Sequence, residues 1–257
     1  PPWTLTRSSG VVEWERHAQL GWYMRQLHAN ESASPFAETV AARLTSSIEG
    51  AQQMGQLLDG VHLQTSFPNS DATYGVTNSL SQSLEQVARV VRTRDARQVE
   101  RDVFYVQLGG WDTHNEVNEA LLKNYHLVDR ALEAFTGEMR SQGVWDRVVV
   151  QSASEFGRTL ASNGRGTDHG WGGNAFVLGG SVRGGKVRGS YPSSLTPAGE
   201  HVYTGNSGRV IPTTPWEAVW KPLAQWLGVG SGAMSTVLPN EANFPPSQIF
   251  TQEQIFR

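Results

Sequence analysis

Three short apolar runs, each closed by glycine or by a polar cluster, restrict what this chain can fold into more than any other feature. Val103-Phe104-Tyr105-Val106-Gln107-Leu108 stops at Gly109-Gly110, Arg147-Val148-Val149-Val150-Gln151 stops at Ser152-Ala153-Ser154, and Ala175-Phe176-Val177-Leu178 stops at Gly179-Gly180. Runs of this length, β-branched and aromatic and bounded by turn formers, read as buried strands. Between the first two lies a helical stripe from Asn118 to Ser141, carried by Leu121, Leu122, Tyr125, Val128, Leu132, Phe135 and Met139 and closed by Gly143. Strand, long helix, strand is the signature of an α/β fold whose parallel sheet is covered on both faces.

The remainder organises around that core. Residues 1–75 read as a helical and irregular N-terminal segment of the same domain, with helical spacing from Ser9 to Leu27 and a further helix over Ala37 to Leu58. Residues 76–257 form the α/β core and a C-terminal extension frequent in Gly and Pro. Within it, Leu80, Leu84, Val87 and Val91 mark one face of a helix, and Trp216 to Leu227 reads as another amphipathic helix. Twenty-one basic against 24 acidic side chains, scattered throughout, leave no electrostatic footprint for nucleic acid. With no cysteine there is no disulfide, thiolate metal site or cysteine nucleophile. Every apolar run, Val148 to Val150 included, falls far short of the roughly 20 residues that span a bilayer. Pro1-Pro2 stand where an initiator Met is usual and no signal-peptide pattern follows, so the chain reads as a mature or partial product.

In open parallel sheets ligands bind beyond the carboxyl ends of the strands, which directs attention to the residues that follow each run. There stand Asp112-Thr113-His114, then Glu155-Phe156-Gly157-Arg158, and, leading into the third run, Asp168-His169 between glycines. Asp112 and His114 are two apart and project from the same side of an extended segment, as paired ligands of one ion would. Carboxylate with imidazole suits zinc, or manganese, magnesium or calcium where oxygen dominates. Arg158 offers a planar fork for a phosphate or sulfate oxygen pair, and Glu155 or His169 an acid or base. Each cluster has a plainer reading: Asp112 as a turn cap, Glu155 and Arg158 as a structural ion pair, Asp168-His169 as a polar turn. Their shared position at strand ends favours one common site. Trp111 and Trp171 adjoin it as candidate walls, whereas His126, inside the helical stripe, reads as a packing or surface residue.

Gly-Gly-Trp-Asp-Thr-His at 109–114, Ser-Glu-Phe-Gly-Arg-Thr at 154–159, Gly-Thr-Asp-His-Gly at 166–170 and Leu-Gly-Gly at 178–180 together resemble an uncharacterised family, the domain of unknown function numbered fifteen-oh-one, related to the alkaline-phosphatase-like and sulfatase superfamily. Gly208 to Thr214 and Gln225 to Val229 look like its C-terminal pattern, so the resemblance runs from about 75 to 245. It implies a three-layer α/β/α fold with a mostly parallel central sheet and a metal site for phosphate or sulfate esters. Asp112, His114 and His169 would ligate a divalent metal. Asp168 would be a ligand or an outer partner of His169, and Glu155 would stand toward a second metal where Phe156 replaces the usual His. That family's first strand, with its Asp and the hydroxyl nucleophile after it, has no counterpart in 1–75. The resemblance thus leaves two expectations: a hydrolase of phosphate or sulfate esters lacking its nucleophile segment in this chain, or a non-catalytic exported or cell-surface protein engaged in a protein assembly. It also implies export to the periplasm, cell surface or extracellular space.

Overall fold

Helices dominate the described residues, and each strand pairs with one partner in a two-stranded antiparallel ladder. The computed structural model describes Leu5–Thr6, Gly10–Val11, Gln26, 34–205 and 207–257. The expected helical segment from Ser9 to Leu27 therefore lies almost wholly outside the described residues. The chain divides into two units, one of residues 1–108 and 126–142, the other of 109–125 and 143–257.

The first unit opens with the hairpin β1 (Leu5–Thr6) and β2 (Gly10–Val11). The helix α1 (Pro35–Asp59) follows, with Pro35 at its first turn and the Ser34 hydroxyl accepting from the Ala37 N–H. After a small hairpin, β3 (Ser70–Asp71) and β4 (Val76–Thr77), comes α2 (Ser79–Arg92), then the single turn α3 (Arg94–Arg97). Asn78 caps α2 and is itself buried: its carbonyl accepts from the Ser81 N–H at 3.0 Å, while its amide donates to the Leu127 carbonyl at 2.9 Å. Leu127 belongs to α4 (Val117–Ser141), whose first turns fall in the second unit and the rest in the first. The buried face of α4 runs through Asn124, Leu127, Ala131, Ala134, Phe135, Glu138 and Met139, while Leu122 and Tyr125 are exposed. Glu138 is fully buried because it is saturated: the Gln64 and Thr65 N–H groups donate to one oxygen at 2.9 and 2.8 Å, and the Gln142 amide donates to the other.

In the second unit β5 (Val149–Gln151) pairs antiparallel with β8 (Val177–Gly179), Val150 opposite Leu178. β6 (Gly157–Arg158) pairs with β7 (His169–Gly170), and β9 (Val202–Tyr203) with β10 (Arg209–Val210). The Gly172 N–H donates to the Val210 carbonyl at 2.9 Å, joining the chain just after β7 to β10. The helices α5 (Glu217–Trp226), α6 (Ser231–Val237) and α7 (Gln252–Ile255) close the unit. Val182, Leu223, Ile255 and Phe256 form a buried cluster against which Val149, Val177, Val219 and Trp226 pack. Each such apolar side chain contributes roughly 1.5–3 kcal/mol when fully buried.

Among the described residues there is no three-layer α/β/α core with a parallel central sheet, and the reasons for that correction are local. The second and third expected strands do pair, as β5 and β8, but in the opposite sense. The segment 152–176 between them holds the β6–β7 hairpin instead of the crossover helix that parallel neighbours require. The first expected strand, Val103 to Leu108, is not a strand at all: Val103 is 82% and Tyr105 81% exposed, and no ladder partner exists for it among the described residues. β propensity measures fit to a pleated, half-buried surface, so a β-prone run with no neighbouring strand among the described residues forms no ladder.

Candidate metal centre

All the polar residues singled out at the ends of the expected strands belong to the second unit, and the local chain path decides which of them meet. Gly110 adopts a left-handed backbone (φ 88°), and its carbonyl accepts from the Asn124 amide of α4 at 2.7 Å. Beyond it the chain does not extend. The Thr113 N–H reaches the Trp111 carbonyl and the His114 N–H the Asp112 carbonyl, folding 111–114 into tight turns. The side chains of Asp112 and His114 nevertheless converge, through curvature and not through strand alternation.

The second contributor is the β6–β7 hairpin. Its loop is braced by Asn163, whose side-chain oxygen accepts from the Arg165 and Gly166 N–H groups. Gly166 lies so close to the preceding turn that a Cβ there would meet the His114 carbonyl carbon at 2.3 Å and the Thr113 oxygen at 2.6 Å. Only glycine allows this approach, and it is what delivers His169 to Asp112.

The result is three donors on one atom. Oδ1 of Asp112 lies 2.8 Å from Nε2 of His114, 2.8 Å from Nε2 of His169 and 2.8 Å from a terminal nitrogen of Arg158. The ligand atoms of Asp112, His114 and His169 fall within 4.8 Å of one another, and no second such cluster occurs among the described residues. Their side chains are 52%, 44% and 51% exposed, so the site opens to solvent. Hydrogen bonds from Arg158 and then His169, aided by the nearby imidazole charges and opposed by partial desolvation, hold the Asp112 carboxyl below the usual carboxylate range.

Asp168 serves His114, not His169. Its carboxylate faces Nδ1 of His114 at 3.2 Å, on the ring edge opposite the nitrogen that approaches Asp112, as an outer carboxylate stands behind a metal-ligating histidine. His169 is held differently: its ring stacks on Phe156 with centroids 4.0 Å apart and planes at 5°, and its carbonyl accepts from Nε of Arg209. The phenyl ring that departs from the resembled pattern thus orients an imidazole. Arg158 is spent inside the protein. Nε donates to the Thr167 hydroxyl, one terminal nitrogen to the Thr113 and Thr167 carbonyls, and the other to Asp112, engaging four of its five N–H groups.

Glu155 is not gathered into the cluster. It is exposed, and it forms no ion pair with Arg158, which turns to Asp112 instead. Of the candidate walls, Trp111 packs edge-on against Tyr125, whereas Trp171 stays exposed. Sequence reasoning missed the roles of Phe156 and Arg209; the one signal for such crowding was the glycine spacing around 157–173. His126, read as a packing or surface residue, is half-buried and faces Asp71 at 2.7 Å.

The three side chains form a candidate metal site. Two imidazole nitrogens at 2.8 Å from one carboxylate oxygen would set lone pair against lone pair unless protons or a metal ion lie between them. Carboxylate and two imidazoles fit zinc and other first-row divalent ions.

No curated protein and no solved structure matches this chain. A family profile does, over residues 1–203, which takes in the N-terminal segment and every residue of the cluster except the supporting Arg209, and leaves Gly208 to Thr214 and Gln225 to Val229 outside. The family is the one described as protein of unknown function (DUF1501), and the chain belongs to it.

Proposed function

We propose that this chain is a metal-dependent hydrolase acting on phosphate or sulfate esters, the chemistry of the alkaline-phosphatase-like and sulfatase superfamily. The observation that supports the reading is the convergence of Asp112, His114 and His169 on one solvent-open point. Three protein ligands leave a coordination position free, as catalytic sites do and four-ligand structural sites do not. A divalent cation there, zinc, manganese, magnesium or calcium, supplies Lewis-acid polarisation of an ester oxygen.

The protein's own side chains prepare that position. Arg158 acts as a positioning residue: its fork ties Asp112 to the backbone of both contributing loops, so it fixes the carboxylate more than it clamps substrate oxygens. Asp168 selects the His114 tautomer, and Phe156 restrains rotation of His169. Export belongs to the same proposal and is supported by the family resemblance alone.

Metal analysis of the purified protein tests it. The expected result is about one divalent ion per chain, lost in His169→Ala together with hydrolysis of an aryl phosphate or sulfate. Absence of metal after purification and after addition of zinc, manganese, magnesium and calcium would sink the reading.

A second reading, a non-catalytic protein engaged in assembly, is favoured by one observation. Val103, Phe104 and Tyr105 form an exposed, β-prone apolar run, the kind of edge that takes up a strand from another chain. A metal-free protein that self-associates, and loses that association on Tyr105→Lys, would select it.

A further inference from the structure

Immediately beyond His169 the chain presents a feature that the metal centre does not use. His169 and Trp171 are exposed with buried Gly170 between them, so they share one face of an extended segment. Trp171 is 54% and Tyr203 51% exposed, with ring centroids 5.6 Å apart and planes at 33°. Arg209, directly opposite Tyr203 in the β9–β10 ladder, donates from Nε to the His169 carbonyl at 3.1 Å and sets its guanidinium 5.7 Å from the Trp171 ring centre. The Gly172–Val210 hydrogen bond fixes these strands to one another. One arginine thus bridges a metal-ligating residue and an aromatic shelf.

We propose that Trp171, Tyr203 and Arg209 form the subsite for the organic part of the substrate, and that this part is a sugar ring, making the substrate a phosphorylated or sulfated saccharide. The inference rests on the ester-hydrolase reading of Asp112, His114 and His169 and deepens it. What sets Trp171 and Tyr203 apart from the other exposed aromatics is that they meet as a pair, with an arginine beside them, next to His169. The rings meet at an angle with centroids 5.6 Å apart, too close and too tilted to sandwich a flat base, which needs about 7 Å between parallel rings. A single tilted face suits the C–H face of a pyranose, while the Tyr203 hydroxyl and the Arg209 guanidinium offer hydrogen bonds to ring hydroxyls at the rim. The positive charge of Arg209 beside Trp171 favours a sugar that carries an anion.

Calorimetric titration of the whole chain with glucose 6-phosphate, glucose 6-sulfate, free glucose, inorganic phosphate and inorganic sulfate tests the subsite. The sugar esters are expected to bind about tenfold more tightly than the inorganic anions, a margin of the size that one aromatic contact provides. Trp171→Ala should abolish that margin and leave inorganic-anion affinity, metal content and melting temperature unchanged, while Trp171→Phe retains most of it. Equal affinity for sugar esters and inorganic anions in the unaltered protein, or equal loss of both in Trp171→Ala, overturns the proposal. Asp112→Ala separates the two readings. If it leaves all affinities intact while Trp171→Ala removes the sugar contribution, the metal reading fails and the shelf stands as a sugar site.

Discussion

Two aspartate–histidine contacts of nearly equal length do opposite work in this protein. Asp71 meets His126 at 2.7 Å, and Asp112 meets His114 and His169 at 2.8 Å. In the first, one imidazole faces one carboxylate oxygen, the Tyr74 N–H donates to the other oxygen, and the Asp71 side chain is only 10% exposed. The contact is complete and pins the β3–β4 hairpin to α4. In the second, one oxygen carries two imidazoles and a guanidinium in the open, so two imidazole nitrogens are gathered at one solvent-accessible point. Distance alone therefore does not separate a structural pair from a binding site. The number of nitrogens crowding one oxygen, and their access to solvent, does.

The contrast breaks first at Asp112. Asp112→Ala should abolish metal retention and lower any esterase activity by more than the 10–100-fold that loss of an outer partner typically costs, whereas Asp71→Ala should change neither. Elemental analysis and hydrolysis of an aryl phosphate by the two variants read this out. Next comes Gly166→Ala, which forces a methyl group into the His114 and Thr113 backbone. It should destabilise by about 1–3 kcal/mol or more, followed by thermal unfolding, and should lower metal content even though it removes no ligand. Asp168→Asn leaves all three ligands in place but removes the carboxylate that sets the His114 tautomer, so metal affinity should fall about 10–100-fold in a chelator competition.

The smallest effect is a pH dependence at Asp71. Partial burial pushes its carboxyl up, but the hydrogen bonds from the Tyr74 N–H and His126 and the charge on His126 outweigh this and leave it below the usual carboxylate range. A lowered folded-state value means that the contact stabilises above the unfolded carboxyl value of about 3.9 and fades as pH falls through the folded one. Asp71→Asn should therefore melt a few degrees lower near neutral pH and converge with the unaltered protein in more acid buffer, as circular dichroism would show. A difference that grows on acidification would break the assignment.

How much of this the sequence discloses varies by element. Asp112, His114 and His169 are legible as polar residues beside apolar runs, but so is Glu155, which the fold leaves outside the cluster. The helix over 117–141 is legible from its period and its buried face in part: Phe135 and Met139 are buried as the stripe implies, Leu122 and Tyr125 are exposed, and the chain also buries Ala131, Ala134 and Glu138. Small residues permit close packing without a hydropathy signal, and a buried glutamate is disclosed only by the N–H groups that saturate it. Strand pairing fails for a different reason. Val149 to Gln151 and Val177 to Gly179 are recognisable as strands, but direction depends on the connection between them, and the 152–176 segment carries no helical period to be missed or found. Val103 to Leu108 shows the limit: strand formation is a property of two segments, and one of them alone cannot announce it.

The phenyl ring of Phe156 has a consequence for how the cluster holds its shape. It lies flat on the His169 imidazole at 4.0 Å, so one face of that ring is covered by hydrocarbon and its rotation is restrained. The plate that steadies His169 brings no donor atom of its own, and the cluster's chemistry rests on Asp112 and the two imidazoles alone.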